Sequence, residues 1–259
     1  MRKDMTVKKL SLFCGILLLA LTLASPALSK DLKVSMAFLP NILETPDKGV
    51  FVDMIKAIDG VYEGNIERSV YPFPRSMDNV ISQKADFHLP MIRNKVVPVE
   101  SLPYAYTTEK MGDVCFVIYS HKDKPITLKK IQEAKNTKPF PLKLESIGGF
   151  LDYFDFPISE SIGVENSLKK VNLKRTDAFI FAQEECDFMA KQLKLKNINR
   201  ELYDNFDDVF VIPKGEKGKE IDTILSACLV KLKSTGDLEK LHRKVHLPYQ
   251  EWQPHKMGW

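Results

Sequence analysis

From Leu32 onward the chain alternates short apolar runs with stretches whose apolar residues recur every three or four positions. The first pattern predicts strands and the second amphipathic helices. LKVSMAF reads as a strand, and FVDMIKAIDGVY, with Phe51, Met54, Ile55, Ile58 and Val61 on one face, reads as a helix. IERSVYPF, PRSMDNVISQ and ADFHLP then predict a strand, a proline-opened helix and a third strand. Alternation of this kind predicts an α/β protein with a mainly parallel sheet.

DVCFVIY changes the texture, because it is apolar enough to be buried on both faces. Beyond it, TLKKIQEA, FPLKLESI, VENSLKKVN, DAFIF and QEECDFMAKQLK resume the alternation, with GGFLDYF as a turn into a short helix. DVFVIP is a second strongly apolar strand. In EIDTILSACLVKLKS, residues Ile221, Ile224, Leu225, Cys228, Leu229 and Leu232 form one stripe, and Gly236 is placed to end the helix. DLEKLHRKV is a shorter helix, and the tail ending WQPHKMGW has no pattern. If the two strongly apolar strands run between lobes, the middle of the chain forms one lobe and its two ends the other. That division puts lobe 1 at 30–113, lobe 2 at 114–209 and a return segment of lobe 1 at 210–259.

The first residues follow different rules. Arg2, Lys3, Lys8 and Lys9 precede an uncharged run from Leu10 to Leu23, and the small-residue segment ASPALS follows. This is the pattern of a cleavable signal peptide over 1–29, and it predicts a periplasmic protein. The run is shorter than the ~20 residues a membrane-spanning helix needs. Residues 1–29 carry four basic residues and one acid, a net +3, so their removal lowers the formal charge from +4 to +1. A near-neutral surface with interspersed Lys and Glu offers nucleic acid no electrostatic footprint. The remaining cysteines, Cys115, Cys186 and Cys228, are odd in number and read as buried thiols.

Reactive constellations are missing: the chain has no G-x-S-x-G, H-E-x-x-H, C-x-x-C or glycine-rich phosphate loop. His242 and His246 are spaced to share a helix face, but KLHRKVH surrounds them with cationic residues that repel a metal ion. No metal and no cofactor is therefore expected. His88 reads as a packed histidine, and Cys186 sits among acids that raise rather than lower its pKa.

Five segments carry a resemblance: KGVFVDMIKAI, RSMDNVISQKADF, IRNK followed by LPYAYT, RTDAF, and GKEIDTILSACLVKLKSTGDLEKLHRKV. In their order and over nearly the whole mature chain, the sequence resembles the family 3 extracellular solute-binding proteins, the polar amino-acid class that feeds ABC importers. The resemblance implies the α/β two-lobe type II periplasmic-binding-protein fold, hinged around an interlobe ligand cleft. It implies a monomer that captures a small carboxylate-bearing solute, an amino acid or organic acid, without chemistry, for an inner-membrane ABC permease. Two alternatives stay open on the same fold: a ligand sensor signalling to a membrane receptor kinase, and a secreted enzyme using Glu184 with His88.

The same resemblance implies ligand contacts. An arginine beyond the third strand grips the ligand carboxylate in the amino-acid binders, and Arg93 is the nearest match. A guanidinium meets a carboxylate with two parallel bonds. The alternative for Arg93 is a surface or lobe-bridging ion pair. Arg75 in PFPRSM is a second candidate, with a local pair to Asp78 as its alternative. Gly148 and Gly149 before Phe150 could point N–H groups at an anion or simply make a tight turn. Tyr104, Phe150 and Tyr153 could stack over a ligand or pack. The family places an acid five residues after the Asp of its DA pair, but that position, counted from Asp177, is Ala182. Glu184 is the substitute candidate for an ammonium group, and an acid in a helix's first turn also suits the helix dipole.

Overall fold

The computed structural model describes residues 30–39 and 42–258. The expected signal peptide over 1–29 lies outside them. Among the described residues no helix is long and apolar enough to cross a membrane.

The chain begins β1 (Leu32–Ala37), α1 (Val50–Val61), β2 (Ile66–Tyr71), α2 (Phe73–Ile81), β3 (Phe87–Ile92) and β4 (Ala105–Tyr106). It continues β5 (Gly112–His121), α3 (Leu128–Ala134), β6 (Leu144–Ile147), β7 (Ser159–Ser161), α4 (Val164–Asn172), β8 (Ala178–Ala182) and α5 (Gln183–Gln192). The last elements are β9 (Ile198–Ile212), α6 (Glu216–Thr235) and α7 (Asp237–His242). The strands form one sheet in the order β2-β1-β3-β9-β5-β8-β6-β7, and β4 pairs with β9. The expected α/β class is observed.

The sheet is mixed, which corrects the mainly parallel expectation. β1 runs parallel to β2 and β3, and β6 runs parallel to β7 and β8. Joining these sets, β9 pairs antiparallel with β3 and β5, and β5 pairs antiparallel with β8. β9 is 15 residues long, more than twice the stretch that DVFVIP suggested. Its carboxyl end joins the first half of the sheet through Met91↔Val209, while residues 198–208 pair with β5 in the second half.

Each half has its own core. The apolar stripes of α1 and α6 cover one face of β1, β2 and β3, burying Ile55, Ile58, Leu225 and Leu229 completely. α6 stops where Gly236 takes the left-handed conformation, at φ 78°. In the second half, Phe116 is 1 % exposed and packs against Phe150, Phe181 and Phe206. Burying such a side chain contributes about 1.5–3 kcal/mol. Cys115, Cys186 and Cys228 are free and buried. Burial pushes the Cys115 thiol up to about 11.

Residues 247–256, at the end of the return segment, lie against the second half. Arg200 holds them there. It is 2 % exposed, yet its guanidinium donates to the Gln250 and Trp252 carbonyls at 2.7 and 2.8 Å and to Asp187 Oδ2 at 2.7 Å. Tyr119 donates to the other Asp187 oxygen at 2.7 Å. Gln183 Nε2 donates to the Leu247 carbonyl at 2.7 Å.

Candidate ligand site

The parallel strands of the first half end at Tyr71, Ala37 and Ile92, and those of the second at Ile147, Ser161 and Ala182. The two sets meet where the end of β3 touches the turn after β6. Tyr153, in the turn after β6, donates through its hydroxyl to the Ile92 carbonyl at 2.9 Å. Asn94 Nδ2 donates to the Asp152 carbonyl at 3.2 Å. In open α/β sheets, ligands bind outside the carboxyl ends of the strands.

On the first half, the chain turns sharply from β2 into α2 through Pro72, whose φ of −52° suits a helix entry. The turn leaves aromatic side chains at the strand ends. Phe38, whose N–H donates to the Tyr71 carbonyl, is 46 % exposed, and Phe73 is 39 % exposed. Arg75 stands 5.1 Å from the Tyr71 ring centre. Among the described residues no carboxylate or carbonyl partners Arg75, so the local pair with Asp78 does not form. Tyr71 separates two grooves of about 430 and 370 Å³, one lined by Ser35, Ser69 and Arg75 and the other by Phe38, Thr45 and Pro72.

Arg93 is engaged elsewhere. Its Nε donates to Asp207 at 3.3 Å, another guanidinium N–H donates to the Thr107 carbonyl at 2.8 Å, and the group lies 5.3 Å from the Tyr106 ring centre. Asp207 belongs to β9, so the guanidinium ties the end of β3 to the central strand. Tyr104 packs edge-on to Tyr106 at 5.5 Å, and burial pushes its hydroxyl pKa up.

On the second half, Gly148 and Gly149 make a tight turn in which the Phe150 N–H donates to the Ile147 carbonyl at 3.2 Å. Gly149 has φ +87°, a conformation that costs other residues strain. At Gly148 a Cβ would stand 2.1 Å from Glu160 Oε1, so that carboxylate lies directly over the turn. Its charge repels an anion there. Among the described residues Glu160 has no ion-pair partner. Phe150 packs 5.5 Å from Phe181 and 5.3 Å from Tyr153.

Glu184 faces the C-terminal segment, accepting from the Leu247 N–H at 2.9 Å and standing 3.5 Å from His246 Nδ1. Ala182, the last residue of β8, is 5 % exposed. His88 is fully buried with Nδ1 2.7 Å from Ser76 Oγ. The structure therefore gives Glu184 and His88 separate partners. Sequence reasoning passed over Phe38, Tyr71, Phe73 and Glu160; the aromatics closing MAF and VYPFP were the available signal.

No family model and no curated protein matches the chain. Solved structures do. The chain is similar to the GluR0 ligand-binding core of Nostoc punctiforme in complex with L-glutamate, at 14% identity and a TM-score of 0.60, over 84% of this chain and 100% of that one. It is similar to a histidine kinase sensor domain with similarity to periplasmic binding proteins, at 14% identity and a TM-score of 0.60, over 84% and 96%. It is also similar to the L-cystine solute receptor of Neisseria gonorrhoeae in its unliganded open conformation, at 16% identity and a TM-score of 0.54, over 83% and 92%. With its two parallel strand sets joined through antiparallel central strands, the chain has the type II periplasmic-binding-protein fold.

Proposed function

We propose that the protein is an exported solute-binding protein whose two half-sheets act as hinged lobes and close on a small amino-acid-like solute. One observation carries the reading: each half offers an unpartnered charge of opposite sign beside its strand ends, Arg75 on the first and Glu160 on the second. Arg75 takes the solute carboxylate in two parallel bonds, Phe38, Tyr71 and Phe73 cover its apolar part, and Glu160 takes the ammonium. Glu160 then does the work that the position of Ala182 and the candidate Glu184 do not. Contacts to both lobes favour the closed form, and an inner-membrane ABC permease reads that form.

Native mass spectrometry of the purified protein, then release and identification of any bound solute, supplies the ligand for titration. Arg75→Ala and Glu160→Gln are each expected to weaken its binding about 10- to 100-fold, the range for charge-assisted hydrogen bonds. Neither should move the melting temperature of the ligand-free protein, because both side chains are exposed. Full affinity in both variants would remove the reading; loss in Arg75→Ala alone would assign an organic acid without an amine.

Arg93→Ala is expected to lower the ligand-free melting temperature by about 2–4 °C, through loss of about 1 kcal/mol from a partly exposed ion pair. An unchanged melting temperature with lost binding would return Arg93 to the ligand. The likeness to a kinase sensor domain favours a second route, in which the closed form signals to a receptor kinase. Uptake of the identified solute by cells lacking the protein separates the two: loss of uptake assigns transport.

A further inference from the structure

A second group of buried polar atoms lies where the central strand β9 meets the C-terminal helix. Asp208 on β9 is 1 % exposed and His242 is 7 % exposed. Asp208, His242 and His246 each offer one ligand atom, and these atoms lie within 4.8 Å of one another. His242 Nε2 is 3.3 Å from Asp208 Oδ2, and His246 Nδ1 is 3.5 Å from Glu184 Oε2. None of these four atoms makes a well-formed hydrogen bond. Buried polar atoms ordinarily have such partners.

The local chain explains the grouping. The His246 N–H donates to the His242 carbonyl at 2.9 Å, so the helical turn continues past α7 and sets both rings on one face, 5.0 Å apart. The cationic neighbours that argued against a metal turn away: Arg243 pairs with Glu239 at 2.6 Å and Lys244 with Asp53 at 3.6 Å. Two imidazoles and one carboxylate are a donor set that zinc accepts, with a water or other ligand in the fourth position. At roughly 2.0–2.1 Å from a tetrahedral zinc ion, neighbouring donors stand about 3.3 Å apart. The separation of His242 Nε2 from Asp208 Oδ2 already matches, and all three ligand atoms lie within 4.8 Å of one another.

We propose that Asp208, His242 and His246 form a binding site for a zinc-type divalent cation where the central strand meets the C-terminal helix, with Glu184 standing against His246. Asp208 comes from the central strand and the histidines from the helix packed on the first half. An ion held there ties the C-terminal helix to the central strand. Oxygen-seeking Mg2+ and Ca2+ do not suit the paired imidazoles.

The test titrates purified, chelator-treated protein with ZnCl2 by calorimetry and by thermal shift. One Zn2+ per chain is expected, with micromolar or tighter affinity and a raised melting temperature, and no response to Mg2+ or Ca2+. His246→Gln and Asp208→Asn should each weaken Zn2+ binding by about 100-fold or more, while His255→Gln leaves it intact. His242 is the poorer choice for substitution because its ring fills the space beside Gly112. Should a variant fail to fold, Co2+ added to the unaltered protein is the second readout: tetrahedral visible absorption at one equivalent supports the site. Absence of stoichiometric Zn2+ binding, or its survival in both folded variants, would overturn the proposal. Neither result bears on the roles proposed for Arg75 and Glu160.

Discussion

Arg200→Ala is expected to destabilise the protein by about 3–5 kcal/mol, measured as a lowered urea midpoint at unchanged slope. The side chain is 0 % exposed and its partner Asp187 is 11 % exposed. Its removal leaves a buried carboxylate with only Tyr119 to donate to it, and leaves the Gln250 and Trp252 carbonyls without their donor. It also removes a cation stacked 4.4 Å from the Trp252 ring centre. The segment from Leu247 should then detach and become the first point of limited proteolysis. Changing the pair together, Arg200→Met with Asp187→Leu, should recover part of the loss, because no charge is then buried alone. A loss below about 1 kcal/mol in Arg200→Ala would show that the tail carries little of the stability.

Acid should weaken the first half through His88. Ser76 Oγ lies 3.1 Å from Ser35 Oγ and 2.7 Å from His88 Nδ1, and this polar chain is buried between α2 and the sheet. Burial lowers the His88 pKa from 6.5 to about 4. The unfolded chain takes up a proton as pH falls through 6.5, whereas the folded protein resists until about pH 4. The contribution to stability is therefore fully present above pH 6.5 and is lost as pH falls through this window, by about 3 kcal/mol. Stability curves measured from pH 4 to pH 7 should be shallower by that amount in His88→Gln than in the unaltered protein. Parallel curves would mean that the ring titrates normally in the fold.

The element pattern was readable because apolar spacing follows directly from which face of a helix or strand is buried. The missing half of β9 shows where that logic fails. INRELYDNF alternates, but one of its inward positions is Arg200, so a charged residue occupies a place that the alternation reserves for an apolar one. Strand direction was misread for another reason: a run such as DVCFVIY records burial on both faces, not the polarity of its neighbours. Spacing could not rank the arginines either. Arg93 and Arg75 look alike in sequence, and the ion partner that occupies Arg93 lies 114 residues away.

The sequence by itself determined the α/β alternation, the helix faces, the cysteines as buried thiols and the i, i+4 pairing of His242 with His246. Each is a local consequence of side-chain period or residue chemistry. Only the tertiary structure decided which charges are neutralised, which remain available at the strand ends, and that Asp208 comes to lie beside the two histidines. Those outcomes depend on contacts between residues distant along the chain, which no local pattern encodes.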